Sequence, residues 1–360
     1  MDLSIIIPTM NRSDFISRLF EYYKSIEFDG FLFIGDSSIG LQKESVKKLV
    51  DYYKDKLKIK YTYFPPKIFI NNSVCIAELL QFVSTKYAVF SGDDDFLVPE
   101  ALDDCIKFLN KNIDYASARG KRVEFKLDHD GAFGNTISFA WVHQAELESN
   151  SSVDRWIAYM RNAVSTQYFV HRTNTWKEMY KNVNKIKLNY IGTELLPCSV
   201  SALSGKSKEL NRITCFFQDH DDYFTSWSAN PFYKSLLDSD WNNSVNIFKN
   251  TILDYLKNYY EDEKKAEDVF DKEMWYHLLV HLSWQYDVTY NNPSRKKIAG
   301  LRSLSHYTID FIFNLVRKTL NLLTVKKVGK ISMDNFLKLG GAYYDCFHPI
   351  QKIICNTNIK

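Results

Sequence analysis

Short apolar runs alternate with helix-period segments through the first quarter of the chain, and this alternation constrains the fold more than any other feature. Leu3 to Pro8, Phe31 to Gly35, Leu57 to Tyr63 and Tyr87 to Phe90 are rich in β-branched and aromatic residues and predict strands. Between them, Ser13 or Asp14 can cap a helix that runs to about Ile26. Val46, Leu49, Val50 and Tyr53 share one face of a second helix over Leu41 to Tyr53, and a third is expected over 73–84. Strands separated by crossover helices run parallel, which predicts an α/β sandwich. In open α/β sheets ligands bind beyond the carboxyl ends of the strands. Asn11-Arg12, Asp36 and Asp93-Asp94-Asp95 each lie just past such an end, so three separate segments imply one site.

The last of these carries the most chemistry. The run Ala88-Val89-Phe90 feeds into Ser91-Gly92-Asp93-Asp94-Asp95-Phe96, a strand broken by glycine and followed by three carboxylates. Adjacent like charges repel, so they need a cation, hydrogen-bond donors or open water. In extended chain, residues two apart project the same way, which puts Asp93 and Asp95 on one side. That pair suits a hard divalent cation with positions left for diphosphate oxygens. A solvated acidic turn would read the same if it stood alone.

Farther along, Pro99 opens a helix to about Asn110, and Tyr115 to Lys126 and Thr136 to His143 predict longer, antiparallel strands. Val153, Trp156, Ile157, Met160 and Val164 form a helical stripe of core character. A helix over 191–204 ends at Gly205, and Leu210 to Phe217 is a strand leading to Gln218-Asp219-His220-Asp221-Asp222. Beyond about residue 230 long helical patterns such as Val245 to Tyr260 and Glu273 to Tyr286 take over. Two domains are therefore expected, an α/β unit over 1–230 and a mainly α-helical unit over 231–360. A net charge of +3 gives no electrostatic footprint for nucleic acid. The six cysteines show no CxxC spacing, which disfavours a zinc site and fits reduced thiols in a cytoplasmic protein. The N-terminus does not read as a signal peptide, and no apolar run approaches the roughly 20 residues that span a bilayer.

With these elements in order, the chain resembles the family 2 glycosyltransferases of GT-A fold, a Rossmann-like mixed sheet flanked by helices. Ile5-Ile6-Ile7-Pro8-Thr9-Met10-Asn11-Arg12 is similar to that family's first strand and loop. Phe33-Ile34-Gly35-Asp36-Ser37-Ser38 stands where the family carries its nucleotide-reading acid, and the Asp-Ser-Ser form resembles a bacterial surface-polysaccharide subgroup. Asp93-Asp94-Asp95 matches the DxD element. The resemblance covers roughly 1–225. It implies a nucleotide-sugar donor, most commonly a UDP-sugar, and Mn²⁺ or Mg²⁺ held by Asp95. Asp93 and Asp94 would meet ribose or metal-bound water, with Asp93 close to the ion. Asp36 would accept from base or ribose, and Pro8, Thr9, Asn11 and Arg12 would line the nucleotide pocket.

Inverting transfer also needs a base for the acceptor hydroxyl. Counted back from Gly205, Glu194 in Gly192-Thr193-Glu194-Leu195-Leu196 falls where the family places it. Thr193 and Glu194 stand in place of the usual Glu-Asp pair, and either carboxylate can accept a proton. A Glu is also favoured at a helix N-terminus by the dipole alone. His220 is the candidate for a further metal ligand, with Asp219, Asp221 and Asp222 beside it.

Between 291 and 330 nine Lys or Arg face a single acid, Asp310, and Ile309, Ile312, Phe313, Val316, Leu320 and Leu323 fall at helical spacing. A basic amphipathic helix of this kind can lie on an anionic bilayer, which suits a lipid-linked or glycan acceptor at the inner face of the plasma membrane. It can equally pack between domains or in a homo-oligomer. Two other readings compete for the whole chain. A sugar-phosphate nucleotidylyltransferase shares a related fold, but Met10-Asn11-Arg12-Ser13-Asp14 lacks the glycine-rich loop of those enzymes. A GT-A-like binding or assembly module without catalysis is the other, and the intact aspartates speak against it.

Overall fold

The computed structural model describes residues 1–66, 72–162, 164–219, 232–286 and 331–356. β1 (Leu3–Thr9), β2 (Phe31–Asp36), β3 (Lys58–Tyr63) and β4 (Tyr87–Phe90) are the predicted strands. β1 pairs in parallel with both β2 and β4, and β2 pairs in parallel with β3. Helices α1 (Ser13–Ser25), α2 (Gly40–Tyr53) and α3 (Asn72–Phe82) connect them. This parallel half requires crossovers, and the helix-period segments supply them.

The other half is mixed. After the two-residue β5 (Phe96–Leu97) and α4 (Pro99–Lys111) come β6 (Tyr115–Leu127), β7 (Thr136–Val142), α5 (Ser152–Asn162), β8 (Val170–Arg172) and α6 (Thr173–Met179). α7 (Leu196–Ser204) and β9 (Lys206–Asp219) follow. The strand order among the described residues is β3-β2-β1-β4-β8-β6-β9-β5, with β7 on β6. β6 and β7 are antiparallel, as the sequence predicts, while β6 and β9 run parallel. β9 is longer at both ends than the apolar run 210–217, because edge pairing with β6 continues through the polar residues. β5, β8 and α6 have no counterpart in the sequence reading. Elements of two, three and seven residues are shorter than any periodicity can show.

One hydrophobic core lies on each face of the sheet. On the first face, α3, α5 and α7 pack with two helices that follow the short α8 (Phe232–Leu236), α9 (Trp241–Leu256) and α10 (Glu263–Tyr286). The stripe Val153, Trp156, Met160 and Val164 is buried there, and Trp156 stacks on Phe270 at 5.9 Å. On the second face, α1, α2 and α4 are joined by the closing helix Tyr344–Ile354. Phe347 meets Phe139 and Phe216 at centroid distances of 4.8 and 5.1 Å. Residues beyond 232 therefore contribute to both cores. Each buried aromatic or aliphatic side chain is worth about 1.5–3 kcal/mol of transfer free energy.

β2 and α3 fit closely at one point. A Cβ on Gly35 would lie 2.3 Å from Cys75 Sγ, so only glycine lets α3 press against the carboxyl end of β2. No helix among the described residues is long and apolar enough to cross a membrane. The basic segment 309–323 lies outside the described residues.

A candidate active site at the carboxyl edge of the sheet

Parallel pairing brings the ends of β1, β2 and β4 to one edge. Pro8 and Thr9 are in register with Gly35 and Asp36, and Ile6 with Phe90. Pro8 contributes backbone in the buried strand, and the working groups begin at the next residue. Thr9 Oγ1 donates to Asp93 Oδ2 at 2.6 Å. Arg12 Nη1 donates to Asp93 Oδ1 at 2.7 Å and to Asp94 Oδ2 at 3.0 Å. The loop after β1 thus grips the acidic turn after β4, as their common position at the sheet edge predicts. Burial works against the charge on Arg12, but Asp93 and Asp94 hold its pKa above the usual value.

Asn11 takes a left-handed conformation, φ 56°, which asparagine tolerates better than most residues. In that geometry its backbone N–H donates to Ser38 Oγ at 2.7 Å, and its Oδ1 accepts from Ile39 N at 2.9 Å. Asp36 is buried. Its Oδ1 accepts from Ser38 N at 2.8 Å and its Oδ2 from the Tyr61 hydroxyl at 2.9 Å. Asn11, Asp36 and Ser38 therefore form one hydrogen-bonded rim beside the acidic turn.

Asp93 and Asp95 are both buried. Desolvation raises both carboxyl pKa values. Arg12 opposes the shift at Asp93, and the Asp94 charge adds to it at both positions. Asp95 accepts from Gln218 N at 3.3 Å and from the Tyr168 hydroxyl. A Cβ on Gly92 would fall 2.5 Å from Asp94 Oδ1 and 2.8 Å from Asp95 Oδ2, so two carboxylate oxygens converge over a position only glycine leaves free. A concentrated, desolvated negative charge with converging oxygens fits a hard divalent cation. Among the described residues no three His, Cys, Asp or Glu side chains gather at metal-binding distance. His220, the sequence candidate for a further metal ligand, lies outside the described residues, as do Asp221 and Asp222. Asp219 ends β9, and its carboxylate lies 3.6 Å from Lys126 Nζ.

Glu194 sits in an unexpected backbone. The predicted helix 191–204 is divided, with a π-helical turn over Ile191–Leu195 and α7 after it. Two side chains hold the widened turn: Thr193 Oγ1 donates to Asn189 O at 2.6 Å, and Gln167 Nε2 donates to Thr193 O. A donor inserted at a helix carbonyl is a known cause of such departures. Burial raises the Glu194 carboxyl pKa, with Arg122 pulling the other way. Behind this turn, the Tyr190 hydroxyl meets His277 Nε2 and lies 2.9 Å from His281 Nε2, both on α10.

Sequence reasoning missed several residues here. Arg18 is fully buried, with Nη1 donating to Ala132 O at 2.7 Å and Gln218 Oε1 at 2.6 Å, and Nη2 to Asp94 O at 2.7 Å. It braces the acidic turn from beneath. Its signal was available, since an arginine on the apolar face formed by Phe15, Leu19 and Tyr22 needs a reason to be there. Arg122 was also missed, although β6 alternates Val123 and Phe125 with Arg122, Glu124 and Lys126, leaving one face charged. Tyr61, Tyr168 and Gln218 carried no readable signal.

No protein-family model matches the chain, and no curated protein sequence matches it significantly. Among solved structures, S. aureus TarS residues 1–349 superposes with a TM-score of 0.50 at 13% identity, covering 98% of this chain and 90% of that one. The Pyrobaculum calidifontis mannosyltransferase PcManGT, in complex with GDP-Man and Mn²⁺, gives a TM-score of 0.42 at 8% identity, covering 98% and 85%. At such identities the likeness concerns the path of the backbone. The mixed sheet flanked by helices, with its polar loops gathered at the carboxyl edge, is the GT-A fold.

Proposed function

We propose that the chain is a divalent-metal-dependent glycosyltransferase that moves a sugar from a nucleotide donor, a UDP-sugar as first choice, to a glycan or lipid-linked acceptor with inversion. The observation that supports this reading is the meeting of Asp36, Arg12 and the Asp93–Asp95 turn on one rim. Asp36 would receive the base or ribose, and Arg12 the phosphates. Asp95, supported by Asp93, would hold Mn²⁺ or Mg²⁺, which when bound neutralises charge developing on the diphosphate. The acceptor oxygen forms a bond to the anomeric carbon from the face opposite the diphosphate, whose bond to that carbon breaks. The hydroxyl proton passes to the Glu194 carboxylate. A desolvated carboxylate is a stronger base than one in water, which suits this step. The likeness to a bacterial surface-polysaccharide subgroup supports such a glycan as product, with the basic segment 309–323 meeting an anionic bilayer.

The test is a thermal-shift panel of UDP, GDP, CDP and dTDP, each with Mn²⁺ or EDTA. One nucleotide is expected to raise the midpoint only with metal, and Asp95→Ala to abolish that rise. If no nucleotide shifts the wild type, the donor assignment fails and a binding or assembly module becomes the better reading.

A further inference from the structure

Arg122 is buried without a direct ion-pair partner. It is 9% exposed, and among the described residues no carboxylate lies within ion-pair distance of it. Its Nε has no hydrogen-bond partner. The guanidinium lies over Tyr168 at 4.2 Å and Phe217 at 4.9 Å, and its cross-strand neighbour Cys215 offers only a thiol. The other buried arginines differ. Arg18 spends both terminal nitrogens on three oxygens, and Arg119 pairs with Glu209 at 2.8 Å. The charge of Arg122 is felt at Asp95, Glu194 and Glu124, yet none of them reaches ion-pair distance.

Burying a guanidinium without a partner costs several kcal/mol unless something anionic arrives. The aromatic faces of Tyr168 and Phe217 return only part of that cost. The planar fork matches the oxygens of a phosphate group, which can accept two hydrogen bonds at once. Resting on the glycosyl-transfer reading above, we infer that Arg122 is a binding site for a substrate oxyanion of the phosphate class, between the Asp95 turn and Glu194. Two sources share this chemistry: the diphosphate of the donor and an anionic group carried by the acceptor.

The test compares wild type, Arg122→Lys and Arg122→Gln by calorimetry with Mn²⁺. The ligands are the four nucleoside diphosphates, their monophosphates, inorganic pyrophosphate and, on nucleotide-saturated protein, inorganic phosphate. For a donor source, R122Q weakens the diphosphate about tenfold or more while the monophosphate stays within about twofold, and lysine restores part of the loss. For an acceptor source, the nucleotides are unchanged and phosphate binding to the loaded protein is lost in R122Q. If wild type binds no nucleotide but holds pyrophosphate through Arg122, the donor reading falls and the oxyanion site stands. Should R122Q fail to fold, R122K decides, since a point charge cannot reproduce the fork. Wild-type affinity for every probe in the folded variants, or no Arg122-dependent binding at all, overturns the inference.

Discussion

The carboxylates of the acidic turn and of the Glu194 turn both feel the charge of Arg122, and they differ in the donors they receive. Asp93, Asp94 and Asp95 receive donors from Thr9, Arg12, Gln218 N and Tyr168. The Glu194 carboxylate has no hydrogen-bond donor among the described residues, although burial raises its pKa. Burial raises the carboxyl pKa on both sides; at Asp93 and Asp95 hydrogen-bond donors oppose that rise, whereas at Glu194 only the charge of Arg122 does. The proposed function assigns a cation to the first turn and a proton to the second, and their supplies of donors differ in the same sense.

The contrast can be broken at either side. Glu194→Gln is expected to lower transfer by about a hundredfold or more while metal-dependent nucleotide binding stays within about twofold. Loss of nucleotide binding in that variant would place Glu194 on the donor side. The base acts ionised, so a raised pKa moves the acid limb of the rate–pH profile upward. That limb should lie above the ordinary glutamate value and disappear in E194Q.

A smaller effect tests the packing beneath the site. His171 is buried between Phe169 O and Ser201 Oγ, at 2.9 and 2.8 Å, and burial lowers its pKa to about 4. The unfolded chain takes up this proton near 6.5, whereas the folded one resists until about 4. The neutral histidine therefore supports stability fully above 6.5, and that support is lost as pH falls toward 4. The difference is on the order of 3 kcal/mol. Urea unfolding from pH 7 to 4 should fall less steeply for His171→Gln than for wild type, and parallel slopes would refute the assignment. Smallest is Tyr190→Phe, which removes the hydroxyl between His277 and His281. It should cost about 1–3 kcal/mol of stability, read by the same unfolding curves, with nucleotide affinity unchanged.

Much of the donor side was legible because its residues follow strand ends, where apolar runs stop and polar groups begin. Asn11, Arg12, Asp36 and Asp93 to Asp95 were placed on that logic, and the structure brings them together on one rim. The supporting residues were hidden for different reasons. Gln218 and Tyr168 meet Asp95 only through long-range strand pairing, which one sequence does not reveal. Arg18 and Arg122 lay in apolar patterns, where a periodicity search reads past a charged residue instead of stopping at it. The widened helix at Glu194 had no local cue, because the Gln167 side chain that holds it comes from elsewhere in the chain.

That π-turn also makes chain length a functional variable. Ile191–Leu195 is a helix carrying one residue more than the α-helical repeat accommodates. Removing Thr193 alone would restore ordinary pairing and rotate one side of the segment against the other by about 100°. Glu194, the proposed base, would then keep its chemistry and lose its aim. At this place a single-codon deletion should silence the protein as fully as replacing the glutamate itself.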